Sequence, residues 1–135
     1  PFAGPKTEEA WIKSCQDEGI DVIVGGKMTH EGFDSRSGGS ISSLSSLLIY
    51  RRAAEMNVTK FVMPPNDYNF YQSVCDDMKD YTKEKPTIFS PGFGAQGCET
   101  NKYTDVPIIG RAICGIADSR GATLEWHTKL FKEKE

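Results

Sequence analysis

Three short stretches combine glycine with polar side chains in a way that suits anion recognition. The first, Lys27-Met28-Thr29-His30-Glu31-Gly32, offers the Thr29 hydroxyl, a donor and acceptor able to read an amide-like ligand edge. The same hydroxyl also suits the capping of a turn. The second is Ser90-Pro91-Gly92-Phe93-Gly94-Ala95-Gln96-Gly97. Its glycines lack the β-carbons that would keep an anion away from backbone N–H groups, and Gln96 adds a neutral amide donor. The third is Gly110-Arg111, where a guanidinium can grip phosphate bidentately while the Gly110 N–H supplies a further donor. The second and third together predict a phosphate site. His30 has no acid or nucleophile at motif spacing beside it and reads as a structural histidine.

These stretches need a scaffold. Thr7 to Gly19 predicts a helix, with Thr7 as cap, Glu8 and Glu9 at the positive end of the dipole, and Gly19 as a left-handed stop. The β-branched run Ile20–Gly26 then predicts a buried strand. Residues 31–46 are rich in Gly and Ser and read as a mobile loop, fitting either a flexible linker or an ordered ligand-covering loop. Leu44, Leu47, Leu48, Ala53 and Ala54 support a helix to about Met56, and Thr59–Met63 reads as a second strand stopped by Pro64-Pro65. Phe70, Tyr71, Val74, Cys75, Met78 and Tyr81 recur at helical spacing and form an apolar core stripe. Lys85–Phe89 and Val106–Ile109 predict the third and fourth strands. A last helix from about Ser119 to Lys132 presents Ala122, Trp126 and Leu130 on one face, with a solvated tail at 132–135.

Alternating strands and helices demand a parallel sheet with right-handed crossovers, so the class is α/β. Four strands make a small open sheet or half of an eight-stranded barrel, and periodicity does not choose between them. In both, ligands gather at the C-terminal ends of the strands, where all three stretches fall. Barrels in particular bind phosphate through the loops after their last two strands.

Composition narrows the function classes. The chain has 135 residues, 16 Lys and Arg against 19 Asp and Glu, and a net charge of −3, which suits one ordinary domain. No stretch approaches the roughly 18 apolar residues of a membrane span, so a membrane protein is excluded. Arg51-Arg52 is the longest basic cluster, which argues against a nucleic-acid partner. Cys15, Cys75, Cys98 and Cys114 are dispersed, without a zinc spacing, and read as reduced thiols of a cytoplasmic protein. No metal ligand set is expected. Asn57-Val58-Thr59 has the form of a glycosylation acceptor and, without an apolar leader in the given sequence, is taken as chance.

The strings Pro-Gly-Phe-Gly-Ala-Gln-Gly at 91–97, Ile-Ile-Gly-Arg-Ala-Ile at 108–113 and Lys-Met-Thr-His-Glu-Gly at 27–32 resemble the C-terminal half of orotidine 5'-monophosphate decarboxylases. The resemblance covers nearly the whole chain. It implies that residues 1–135 form the C-terminal half of a (β/α)8 TIM barrel, in an enzyme converting orotidine monophosphate to uridine monophosphate and CO2 without metal or organic cofactor. It further implies that Gln96 and Arg111 hold the 5'-phosphate, with backbone donors from Gly94 and Gly110. Thr29 stands where the family has a serine that reads the pyrimidine amide and bonds the phosphate-gripping glutamine, and Pro91 walls the pocket. Glu31 replaces a common proline, and Cys98 a frequent glycine.

The family's Asp-x-Lys-x-x-Asp catalytic array is absent from this sequence. Asp76-Asp77-Met78-Lys79-Asp80 is the nearest cluster and reads as the solvated face of a predicted helix. Pro1-Phe2-Ala3-Gly4 resembles the stretch just past the fourth barrel strand. The implied partners are therefore the nucleotide and a complementary N-terminal half carrying the array, in a split or cleaved enzyme that dimerises as completed barrels; no catalytic residue is expected in this chain. The alternative is a noncatalytic phosphate-binding half-barrel that pairs with a copy of itself.

Overall fold

The β-branched and apolar runs form four parallel strands: β1 (Ile23–Gly25), β2 (Lys60–Val62), β3 (Thr87–Pro91) and β4 (Val106–Ile108). They are hydrogen-bonded in chain order, β1-β2-β3-β4. The computed structural model describes residues 4–30, 32–94, 96–100 and 102–131. The expectations resting on residues 1–3, Glu31, Ala95 and the tail at 132–135 lie outside them. Among the described residues there are five α-helices: α1 (Pro5–Asp17), α2 (Ser43–Glu55), α3 (Tyr68–Met78), α4 (Arg111–Cys114) and α5 (Ser119–Phe131). The class is α/β, as the alternation predicts. No helix is long and apolar enough to cross a membrane among the described residues.

The register sets Val24, Phe61 and Ile88 side by side on one face. That face carries the core. Ile12 of α1, Tyr50, Ala53 and Ala54 of α2, and Phe70, Val74 and Met78 of α3 close over the three strand residues. Phe61, Ile88, Ile12 and Tyr50 are fully buried there. At the other end of the sheet, Trp126 and Leu130 of α5 flank a small apolar cleft of about 230 Å³ with Pro107, whose register partner Ser90 shares the face of Ile88. The helices thus lie on one side of the sheet, as unreversed strand order with right-handed crossovers requires.

Among the described residues, no helix lies over the opposite face, whose edge-strand side chains are exposed and whose central ones are half-buried. Ile23, Val62, Phe89, Val106 and Ile108 alternate with the core residues along the strands. Ile23 is 42% exposed and Ile108 46% exposed, unusual for aliphatic side chains inside a parallel sheet. The outer edges of β1 and β4 pair with no other described strand.

Several expectations need correction. Thr7 does not cap α1; the helix begins at Pro5, with Gly4 at the cap position, because proline fits the first turn, where its missing N–H costs nothing. Gly19 adopts φ +69, as its predicted stop requires. The third strand runs from Thr87 to Pro91, two residues past its expected end at Phe89. The flexible-linker reading of 31–46 is overturned over its described residues. Asp34 accepts from the N–H groups of Arg36 and Ser37 and caps a 3-10 turn at Ser35–Ser37. Ser35 N–H donates to Ile41 O at 2.8 Å, and Gly39 N–H donates to Asp34 O at 2.8 Å. Composition misled here because the glycines serve backbone shape: Gly38 holds φ +85 at the end of the turn. The Asp76–Asp80 cluster is only partly a solvated face, since the Asp77 carboxylate is paired with Arg51 of α2, Nε to Oδ2 at 2.7 Å.

Candidate functional site

All four strands run the same way, so the segments after β1, β2, β3 and β4 emerge at one end of the sheet. Thr29, Asp67, Gln96 and Arg111 stand on those segments. Thr29 Oγ1 donates to Gln96 Oε1 at 2.6 Å, a contact between side chains 67 residues apart. Gly92 makes the approach possible. A β-carbon there would lie 3.0 Å from Gln96 Oε1 and 3.2 Å from Thr29 Cγ2, and its φ of +111 is one that side-chain-bearing residues rarely adopt. With its carbonyl held by Thr29, the Gln96 amide has its NH2 as the remaining donor.

The loop after β3 is a self-bonded turn. Gly94 N–H donates to Cys98 O at 2.9 Å, Gly97 N–H to Gly94 O at 2.8 Å, and Cys98 N–H to Gly92 O at 3.3 Å. The Gly94 donor is thereby engaged inside the loop, and Gly94 contributes shape, with φ +73. Its backbone packs against Ala112, the residue after Arg111. That contact brings the Gln96 loop and the start of α4 to one corner. Gly110 sits at the cap position of α4 and Arg111 is its first residue, with an exposed side chain. Pro91 closes β3 opposite Ile108, half-buried on the helix-free face of the sheet.

A second group of residues, not expected from sequence, lies beside Thr29. Lys27 Nζ is 2.5 Å from Asp67 Oδ2 and 3.3 Å from Asp34 Oδ2, and it lies 4.5 Å from the Phe70 ring centroid. The Lys27 side chain is only 10% exposed. Burial pushes the Asp34 carboxyl up, but Lys27 and the backbone donors of the following turn outweigh it and leave Asp34 below its ordinary range. Asp67 also caps α3, accepting from Phe70 N–H at 3.1 Å. Behind Lys27, its own N–H donates to Tyr50 Oη at 3.1 Å, and that hydroxyl donates to Val62 O at 2.7 Å. Burial pushes the Tyr50 phenol up to about 12, so it stays a neutral donor. A cleft of about 260 Å³ opens here, lined by Lys27, Thr29, His30, Asp34, Asn66 and Asp67 among others. His30 is exposed at its rim, edge-on to Phe33 at 5.6 Å between ring centroids. Lysine next to an apolar residue carries no sequence signal of this kind, because its partners are 7 and 40 residues away.

Among the described residues, no group of three His, Cys, Asp or Glu side chains is placed to hold a metal ion. The arrangement can offer an anion the Gln96 amide, oriented by the Thr29 hydroxyl, and beside it the exposed Arg111 at the start of α4. No protein-family model matches the chain, and no curated protein matches it.

Proposed function

We propose that this chain is the phosphate- and pyrimidine-recognition half of an orotidine 5'-monophosphate decarboxylase, the C-terminal half of a (β/α)8 barrel. The observation that carries the reading is the Thr29–Gln96 hydrogen bond, because the resemblance implies that pair from two distant motifs. In this reading Arg111 grips the 5'-phosphate, the Gln96 amide and the Gly110 N–H add donors, Thr29 meets the pyrimidine edge, and Pro91 walls the pocket. The helix-free apolar face and the unpaired edges of β1 and β4 supply the physical reason for four further strands to complete the sheet.

The catalytic Asp and Lys groups belong to the complementary half, since their motif is not among these 135 residues. There the C6–carboxylate bond breaks, its electron pair stays on C6 as CO2 leaves, and a Lys ammonium protonates the carbanion. This chain's residues hold the nucleotide. Binding energy from the phosphate, remote from the reacting carbon, organises the closed site.

The test mixes this chain with the N-terminal half of an orotidine monophosphate decarboxylase and follows substrate absorbance while the complex is weighed by native mass spectrometry. A one-to-one complex with decarboxylation supports the reading. A self-dimer that stays inactive with the added half overturns it and leaves a noncatalytic half-barrel that pairs with itself.

A further inference from the structure

The loop that carries Gln96 closes on itself through three backbone hydrogen bonds, so its position against the sheet needs an outside support. Thr29 gives one such support through Gln96, and the two helices after β4 give another. A β-carbon on Gly94 would stand 2.8 Å from Ala112 Cβ of α4 and 2.9 Å from the Trp126 ring of α5. Backbone and indole are thus in direct contact. Trp126 is half-buried and is itself held from above, since Lys129 Nζ lies 4.9 Å from the indole ring centroid. Lys129 then reaches Glu99 Oε2 at 3.0 Å, just past the end of the same loop. Helix α5 therefore touches the loop region on both sides of Gln96, once through an apolar wall and once through an ion pair.

We infer that Trp126 is a positioning residue for anion binding: its indole walls Gly94 and so holds the Gln96 loop against the start of α4, where Arg111 stands. The inference rests on the phosphate reading of this loop. An indole has few rotamers and a large flat contact area, so it makes a rigid wall. Without it, the turn gains conformations that an anion must suppress on binding, and affinity falls by about tenfold while the charged contact at Arg111 remains. A phenyl ring restores part of the wall.

The experiment titrates the full chain with inorganic phosphate by calorimetry, in the original sequence and in Arg111→Ala, Trp126→Ala and Trp126→Phe, with thermal melts recorded for each. Support requires binding by the original chain, its loss in Arg111→Ala, about a tenfold weaker Kd in Trp126→Ala, and rescue to within about threefold in Trp126→Phe. Equal affinity in Trp126→Ala overturns the inference and leaves the phosphate site standing. No binding by the original chain overturns both. Should Trp126→Ala fail to fold, the emission of Trp126 in a Trp11→Phe chain decides. A saturable change with the calorimetric midpoint supports the contact, and unchanged emission during measured binding overturns it.

Discussion

At the scale of single residues, the proposed reading divides the site into side chains that would meet the nucleotide and side chains that hold them. Thr29→Ala removes the hydroxyl that orients Gln96 and is expected to weaken uridine monophosphate binding to the reconstituted enzyme by about 1 kcal/mol, with Thr29→Ser close to the original. Calorimetry on the pair checks it, and equal loss in both would remove the hydrogen bond from the account. Arg111→Ala is expected to lose about 2–5 kcal/mol of transition-state stabilisation, read from kcat/KM, and Gln96→Ala less, since only a neutral donor goes. Greater damage from Gln96→Ala would assign Gln96 another role. The strand-end position of Thr29, Gln96 and Arg111 was legible in the sequence, because glycine and polar residues interrupt apolar runs at those points. The engagement of the Gly94 N–H by Cys98 was not, because a glycine string shows where backbone can approach and not which donors the loop uses for itself.

At the scale of elements, the segments after β1 and β2 are joined electrostatically. Lys27 pairs with two carboxylates that also cap the 3-10 turn and α3, so one ammonium ties two element starts together. Asp34, with its folded pKa below the ordinary value, contributes stability above its unfolded pKa that is lost as pH falls through the folded one. Glu8 works the other way. Burial pushes its carboxyl up, against the lowering effect of Arg52, so its contribution is complete below the unfolded pKa and declines as pH rises through the folded one. Comparing Lys27→Met with the original chain cancels Glu8. The variant is expected to be less stable at pH 7, with the gap narrowing as pH falls and Asp34 takes up its proton. Urea midpoints from pH 7 downward test this, and a gap independent of pH would mean that Lys27 acts through packing alone. Asp67→Ala is expected to cost about 1 kcal/mol through the lost cap of α3, beyond its ion pair. Helices and strands were largely legible because their apolar periods are clean, as with Phe70, Val74 and Met78. The 3-10 turn after Asp34 was not, since its order comes from side-chain and backbone hydrogen bonds that leave no periodic trace.

At the scale of the whole molecule, stability resides on the helix face of the sheet and, in the proposed reading, association on the opposite face. Phe61→Ala, on the helix face, is expected to cost about 3–5 kcal/mol of unfolding free energy in denaturant titration. Ile108→Lys, on the opposite face, is expected to change stability by less than about 0.5 kcal/mol yet abolish complementation by the N-terminal half. Full activity of the Ile108→Lys chain would show that this face is not where the partner docks. The α/β class was legible from alternation, whereas the one-sided placement of the helices became visible only with strand order. That order also governs how the fold can be built in time. Each ladder joins neighbours in the chain, so no strand waits for a distant segment, and the sheet can grow repeat by repeat as the polypeptide leaves the ribosome.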